Sequence, residues 1–264
     1  MARLPDRGAD AVVVDLEDAT PPSAKEEART NVRSILPSII GGAPQVFIRV
    51  NAVDSPWFVA DIAKGLVDGL SGIVVPKIET TFQLDQVQDE LQKSEHPDLR
   101  VLSGIETALG VADARVLLAH PIVMAAYFGA EDFIEDMGGV RTRGGEEVAY
   151  ARSQVALAAR LAGVASMDQV VTDFSDDVRF REESIVARAM GYDGKLCIHP
   201  CQVAIANGAF MPSAEEIAYA QRLLAAFDQA SASGVAAIDF EGQMVDEPLA
   251  ARARRTLARA NSRT

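Results

Sequence analysis

Phe128-Gly129-Ala130-Glu131-Asp132 closes an apolar run, Met124-Ala125-Ala126-Tyr127-Phe128, on two carboxylates. One unit earlier, Val101-Leu102-Ser103-Gly104-Ile105 ends in the same way on Glu106 and Thr107. Short continuous apolar runs are the signature of parallel strands covered on both faces. Acidic groups at their C-terminal ends stand where α/β sheets and barrels carry their sites. Two hard oxygen ligands from neighbouring strand ends, Glu106 and Asp132, leave positions open for substrate and suit Mg²⁺ better than zinc. Either acid alone reads equally well as a helix cap, since Asp and Glu favour first turns. The pair favours the metal.

The strand-then-helix rhythm continues on both sides of this stretch, the pattern of a parallel-sheet α/β fold. Upstream, Ala11-Val12-Val13-Val14-Asp15-Leu16 is a strand ending in Glu17 and Asp18. Pro21-Pro22-Ser23 then opens a helix over residues 24–36, with Ser23 as its cap. Val46-Phe47-Ile48-Arg49-Val50-Asn51 and Gly72-Ile73-Val74-Val75-Pro76-Lys77 are the second and third strands, with helices over 57–66 and 82–93. A helix over 108–119 separates the two central strands. Downstream come a Gly- and Arg-rich loop over 138–145 and an Ala-rich helix over 148–162. Gln169-Val170-Val171-Thr172-Asp173-Phe174 reads as the sixth strand and 180–190 as a helix. Gly194-Lys195-Leu196-Cys197-Ile198-His199-Pro200 reads as the seventh strand, followed by a helix over 214–230. The linker Ser231-Ala232-Ser233-Gly234, a short strand or turn near Ile238-Asp239-Phe240 and a basic helix over 248–260 complete the chain. Seven strands are counted where a closed (β/α)₈ TIM barrel needs eight. The first is the one missing, because residues 1–8 read as the tail of a helix. The expected domains are a barrel over 1–230 and a C-terminal helical extension over 231–264.

The chain of 264 residues is the length of one such barrel, about 250 residues. Its 48% hydrophobic and 24% charged shares are those of a globular enzyme. A net charge of −13 argues against nucleic acid as a partner, and any anionic substrate needs a local cluster of Arg, Lys or metal. Cys197 and Cys201 form neither a disulfide framework nor, with three His in the chain, a zinc site. A reducing cytoplasm follows as the expected location. With no charged-then-apolar leader and no apolar run of eighteen residues, neither secretion nor membrane insertion is expected.

Arg49 follows a β run, and its guanidinium fork at a strand end matches a substrate carboxylate; an internal ion pair with Glu17 or Glu106 is the alternative. Backbone N–H groups at Gly129 and Ala130 would supplement it, since glycine lets the main chain approach a ligand. Lys77 holds an equivalent strand-end position, either orienting the acids or lying solvated in a loop. Glu17 is a candidate acceptor for a water on the metal, whereas Asp15 and Asp18 read as structural. His199 reads as a catalytic base or as a hydrogen-bonded structural histidine.

Seven segments in order resemble the citrate lyase β-subunit family, the CitE-like CoA-ester lyases of the HpcH/HpaI aldolase superfamily. They are Asp15-Leu16-Glu17-Asp18, Ile48-Arg49-Val50-Asn51, Val75-Pro76-Lys77, Gly104-Ile105-Glu106-Thr107, Gly129-Ala130-Glu131-Asp132, the stretch 194–200 and Phe240-Glu241-Gly242-Gln243-Met244-Val245-Asp246. The resemblance implies a TIM barrel with a C-terminal helical extension and Mg²⁺ on Glu106 and Asp132. It implies a carbon–carbon lyase that cleaves or forms a short 3-hydroxyacyl-CoA such as malyl- or citramalyl-CoA. The products would be acetyl-CoA and an α-keto acid: glyoxylate, pyruvate or oxaloacetate. Asp246 would serve as acid/base in a neighbouring subunit's site, so a homo-oligomer, trimer or hexamer, is implied. Arg141 and Arg143 become candidates for CoA phosphates, with plain surface charge as the alternative. The family's usual opening, an apolar strand with an Arg near the acyl site, has no match in this sequence. That departure keeps open a non-catalytic or complex-forming β-type subunit, and hydrolysis of the product thioester keeps open a malate synthase- or thioesterase-like variant. An aldolase acting on non-CoA substrates ranks behind these, because no histidine ends an early strand.

Overall fold

In the computed structural model, residues 8–41 and 44–261 are described; the expected helix tail at the N-terminus falls on residues 1–7, outside them. Seven parallel strands follow one another in chain order: β1 (Ala11–Asp15), β2 (Gln45–Arg49), β3 (Gly72–Val75), β4 (Val101–Ile105), β5 (Val123–Phe128), β6 (Ala165–Asp168) and β7 (Gly194–Lys195). The sheet curls as a partial barrel, wrapped by α1 (Lys25–Ile35), α2 (Pro37–Ile40), α3 (Phe58–Gly65), α4 (Thr81–Lys93), α5 (Ala108–Leu118), α6 (Ala130–Asp136), α7 (Ala149–Ala162) and α8 (Asp177–Met190). The α/β barrel expected from the sequence is therefore present, with the expected seven strands among the described residues.

Side chains alternate along each strand. One set, Phe47, Val74, Leu102, Ala125 and Tyr127, forms a cluster inside the curl. The other, Ile48, Ile73, Val75, Val101, Ile105 and Phe128, is wholly buried. Each such large side chain contributes about 1.5–3 kcal/mol on leaving water. Register then fixes which residues meet at the strand ends: Asp15 pairs with Arg49, and Ile105 with Phe128.

Three local expectations are corrected. Ser23 lies inside a short 3-10 turn (Pro22–Ala24) and does not cap α1, whose N-cap is Ala24 without a side-chain bond. The sixth strand is Ala165–Asp168, not residues 169–174. Small and flexible side chains fit the ladder against β5, where Ala125 meets Ala165 and Tyr127 meets Met167. The β-branched residues that follow pack as a loop instead, with Val171 buried against Phe180 and Ala206. The seventh strand stops at Lys195, because Gln202 Oε1 accepts the N–H groups of Ile198 and His199 at 2.8 and 3.2 Å and turns the chain into α9 (Pro200–Phe210). Proline at a first helical position suits that start.

The chain divides within α9 into two compact units, Met1–Ala206 and Asn207–Thr264. The second unit holds α10 (Ala214–Ser231), the antiparallel pair β8 (Ile238–Phe240) and β9 (Gln243–Val245), and α11 (Glu247–Asn261). Ser213 and Glu216 form a capping box on α10. Glu241 and Gly242, at φ 52° and 80°, make the two-residue turn whose twist suits a hairpin. Leu223, Phe227, Val245, Ala250 and Ala253 form this unit's own core. No helix among the described residues is long and apolar enough to cross a membrane.

Candidate active site

The ends of β1 to β5 bring together most of the charged residues singled out from sequence. Arg49, at the end of β2, turns its fork onto Asp15, at the end of β1, with Nε to Oδ1 at 2.8 Å and Nη2 to Oδ2 at 2.6 Å. Its Nη1 lies 2.8 Å from Glu17 Oε2, at an angle that leaves this oxygen without a directed hydrogen bond. The internal ion pair is thus real, and it includes Asp15. Burial works against the Asp15 charge, but Arg49 and the N–H groups of Glu17 and Ala19 outweigh it and hold the carboxyl low. For Glu17 burial prevails over Arg49 and Lys77, and its carboxyl is raised.

Lys77 follows β3 in the left-handed region, at φ 52°, a conformation that costs a non-glycine residue roughly 1–2 kcal/mol. Its N–H donates to Glu106 Oε1 at 2.9 Å, while its Nζ bridges Glu17 Oε1 at 3.2 Å and Asp132 Oδ1 at 3.1 Å. Burial opposes its charge, yet Glu17, Asp132 and Glu106 together keep the ammonium protonated. Lys77 is therefore part of the acidic cluster and not a solvated loop lysine.

Glu106 follows β4 and is 2% exposed. Burial, then the charge of Asp132, pushes its carboxyl up to about 7, against the pull of Tyr127 and Lys77. Asp132 stands in the first turn of α6, which Phe133 anchors by packing on Phe128 at 5.7 Å. Asp136 at the other end of α6 accepts the Ala108 N–H at 2.7 Å, tying this helix to the start of α5. Gly129 N–H donates to Ile105 O at 3.1 Å, so the main-chain donors left at this turn are those of the first turn of α6, Ala130 among them. What Gly129 supplies is space: a Cβ there would lie 2.2 Å from Glu106 Oε2.

This donor set fits a hard divalent cation. The carboxylates of Glu106 and Asp132 offer oxygen alone, and one of them is strongly desolvated, so a positive charge beside it would be welcome. Among the described residues no group of three or more His, Cys, Asp or Glu is gathered for a metal. An ion here would complete its shell with water and substrate oxygens, as Mg²⁺ does.

Other candidates lie elsewhere. Arg141 pairs with Glu131 at 3.0 Å and with Glu147, and Arg143 with Asp176 at 3.0 Å. His199 stacks on Phe174 at 5.0 Å, its Nδ1 2.9 Å from Cys201 Sγ, a structural arrangement. Asp246 sits between β9 and α11, where its Oδ1 receives the Leu249 N–H at 3.5 Å.

Three features escaped the sequence. Lys25, buried, donates to Leu16 O at 2.7 Å, Glu17 O at 2.8 Å and Asn51 Oδ1 at 2.6 Å, clamping the turn that carries Glu17. Asn51 is held in turn by Asp61, which also takes Arg29. The Tyr127 hydroxyl, inside the curl, lies against Glu106. Strand alternation from Ala125 would have placed that ring inside. A second network, in which Asp168 accepts from Arg152 at 2.6 and 2.7 Å and from Lys195 at 2.6 Å, is buried and fully paired between β6, β7 and α7.

The family model of the HpcH/HpaI aldolase/citrate lyase family matches residues 1–200. A citrate lyase subunit beta-like protein of Deinococcus radiodurans is 50% identical over 98% of this chain and 92% of its own length. Human mitochondrial citramalyl-CoA lyase is 30% identical over 98% of this chain and 81% of its own. Among solved structures, CitE of Mycobacterium tuberculosis in complex with magnesium, acetoacetate and coenzyme A superposes with a TM-score of 0.80 at 31% identity. The match covers 97% of this chain and 91% of that one.

Proposed function

The chain belongs to the HpcH/HpaI aldolase/citrate lyase family, and from that premise we propose that it is a Mg²⁺-dependent carbon–carbon lyase of CoA esters. Its substrate would be a short 3-hydroxyacyl-CoA such as malyl- or citramalyl-CoA, cleaved to or formed from acetyl-CoA and an α-keto acid. The observation that carries the reading is the pairing of Glu106 and Asp132 beside Lys77 and Arg49, at the C-terminal ends of adjacent strands.

Glu106 and Asp132 would hold the ion, and Mg²⁺, when bound, supplies Lewis-acid polarisation of the keto acid's oxygens. Arg49 binds and orients the substrate carboxylate with the N–H bonds that Asp15 and Glu17 leave over, and those two acids fix its plane. Lys77 keeps the cluster's charge in balance and presents Glu106 through its own N–H. Glu17, raised by burial, takes part in moving the substrate hydroxyl's proton. Gly129 and Ala130 line the turn that faces the substrate. Asp246, from the C-terminal segment of a neighbouring subunit, would protonate the acetyl-CoA carbanion, in a cytoplasmic homotrimer or hexamer.

The test is to incubate the purified chain with malyl-CoA and citramalyl-CoA and to follow acetyl-CoA by chromatography. Acetyl-CoA is expected with Mg²⁺ and not with EDTA. Because Glu106 is raised to about 7, protons compete with the ion below that value, and the rate at limiting Mg²⁺ should fall as pH drops through it. Failure to turn over either ester, from folded protein, would overturn the lyase assignment. Release of free CoA in step with the keto acid would indicate hydrolysis of the thioester as well.

A further inference from the structure

We propose that Tyr127 is a positioning residue whose hydroxyl holds Glu106 in the orientation that receives a divalent cation, an inference that rests on the metal reading of Glu106 and Asp132. The ring belongs to the cluster inside the curl, with Phe47, Val74 and Leu102 around it, and the residue is 5% exposed. Opposite it in the ladder stands Gly104. A Cβ at that position would lie 2.5 Å from the Tyr127 hydroxyl and 2.7 Å from Cζ, so the phenol occupies room that only glycine leaves. Gly129 does the same for Glu106 on the other side. Two glycines, one within β4 and one just past the end of β5, thus make one slot that seats a phenol hydroxyl against a carboxylate.

The hydroxyl bears on Glu106 and favours its charged form, but it makes no directed hydrogen bond, and its oxygen is a buried polar atom without a partner among the described residues. Phenylalanine would fill the same volume without leaving a donor unsatisfied. Glu106 is the acceptor on which this donor bears. Glu106 Oε1 is already fixed by the Lys77 N–H, so a bond from the Tyr127 hydroxyl to this carboxylate would set the plane of both oxygens. Hydrogen bonds of this kind, made to a ligating carboxylate by a residue behind it, typically govern metal affinity by about 10- to 100-fold.

The experiment titrates Mg²⁺ calorimetrically into the full wild-type chain, Tyr127→Phe and Asp132→Ala, and measures each thermal midpoint in EDTA. Tyr127→Phe is expected to bind Mg²⁺ about 10- to 100-fold more weakly than wild type, with its midpoint in EDTA unchanged or higher. A phenol that only packs would leave Mg²⁺ affinity unaltered in Tyr127→Phe, whatever its midpoint, and that result overturns the proposal. If Asp132→Ala loses Mg²⁺ and Tyr127→Phe keeps it in full, the positioning role alone falls. If wild type itself binds no Mg²⁺, the metal reading fails and takes the proposal with it.

Discussion

Replacing Gly129 with alanine is expected to lower Mg²⁺-dependent turnover by at least about 100-fold while leaving a folded protein. The added methyl would stand 2.2 Å from Glu106 Oε2 and 2.6 Å from Glu106 Cβ, closer than real atoms approach. Neither side can yield cheaply. Gly129 is tied to Ile105 O across the β4–β5 ladder, and Glu106 is tied to the Lys77 N–H and hemmed in by Tyr127. The clash must therefore be relieved by moving the Glu106 carboxylate or the start of α6, which carries Asp132. Overpacking of this kind costs about 1–3 kcal/mol, so the thermal midpoint should fall by several degrees. A displacement of about 1 Å between reacting groups is worth about 100-fold in rate. Steady-state kinetics and a melting curve of Gly129→Ala measure both. Wild-type turnover by this variant would mean that Glu106 does not work from the position described.

Arg49→Lys is expected to reduce kcat/KM by about 100-fold or more, although the charge is kept. Lysine cannot reproduce the two parallel bonds to Asp15 while also reaching Glu17. Each charge-assisted bond is worth about 1.5–3 kcal/mol, and losing one leaves the half-buried charge of Asp15 less well answered. The loss should appear mainly as weaker binding of the keto acid. A lysine variant with unchanged kinetics would show that Arg49 is purely structural, a brace between β1 and β2.

The fold was legible where the sequence is monotonous. Apolar runs such as 46–48 and 101–105 are buried on both faces, so a strand was the only economical reading, and acids just beyond them had to stand on the rim. Where strands are short or polar the pattern misleads. Ala165–Asp168 carries little β signal and owes its place to pairing with β5, while the β-branched stretch after it is held by side-chain packing in a loop. Gly194–Lys195 ends early because one glutamine side chain captures two N–H groups, an event with no periodicity to reveal it.

Within the site, spacing along the chain identified Glu106, Asp132, Arg49 and Lys77 as strand-end groups, but it could not say which charges meet. The bidentate grip of Asp15 on Arg49 follows from register between β1 and β2, a long-range property. Tyr127 was hidden because it reads as one more apolar residue of β5. Lys25 was hidden because its partners are carbonyls, which carry no sequence signal.

The most direct test of the central claim is calorimetric titration of pyruvate, glyoxylate and oxaloacetate into the wild-type chain, once with Mg²⁺ and once with EDTA. Saturable binding of at least one keto acid with Mg²⁺, absent in EDTA, is the predicted result. Binding that persists undiminished in EDTA, or no binding of any of the three by folded protein, would contradict the account.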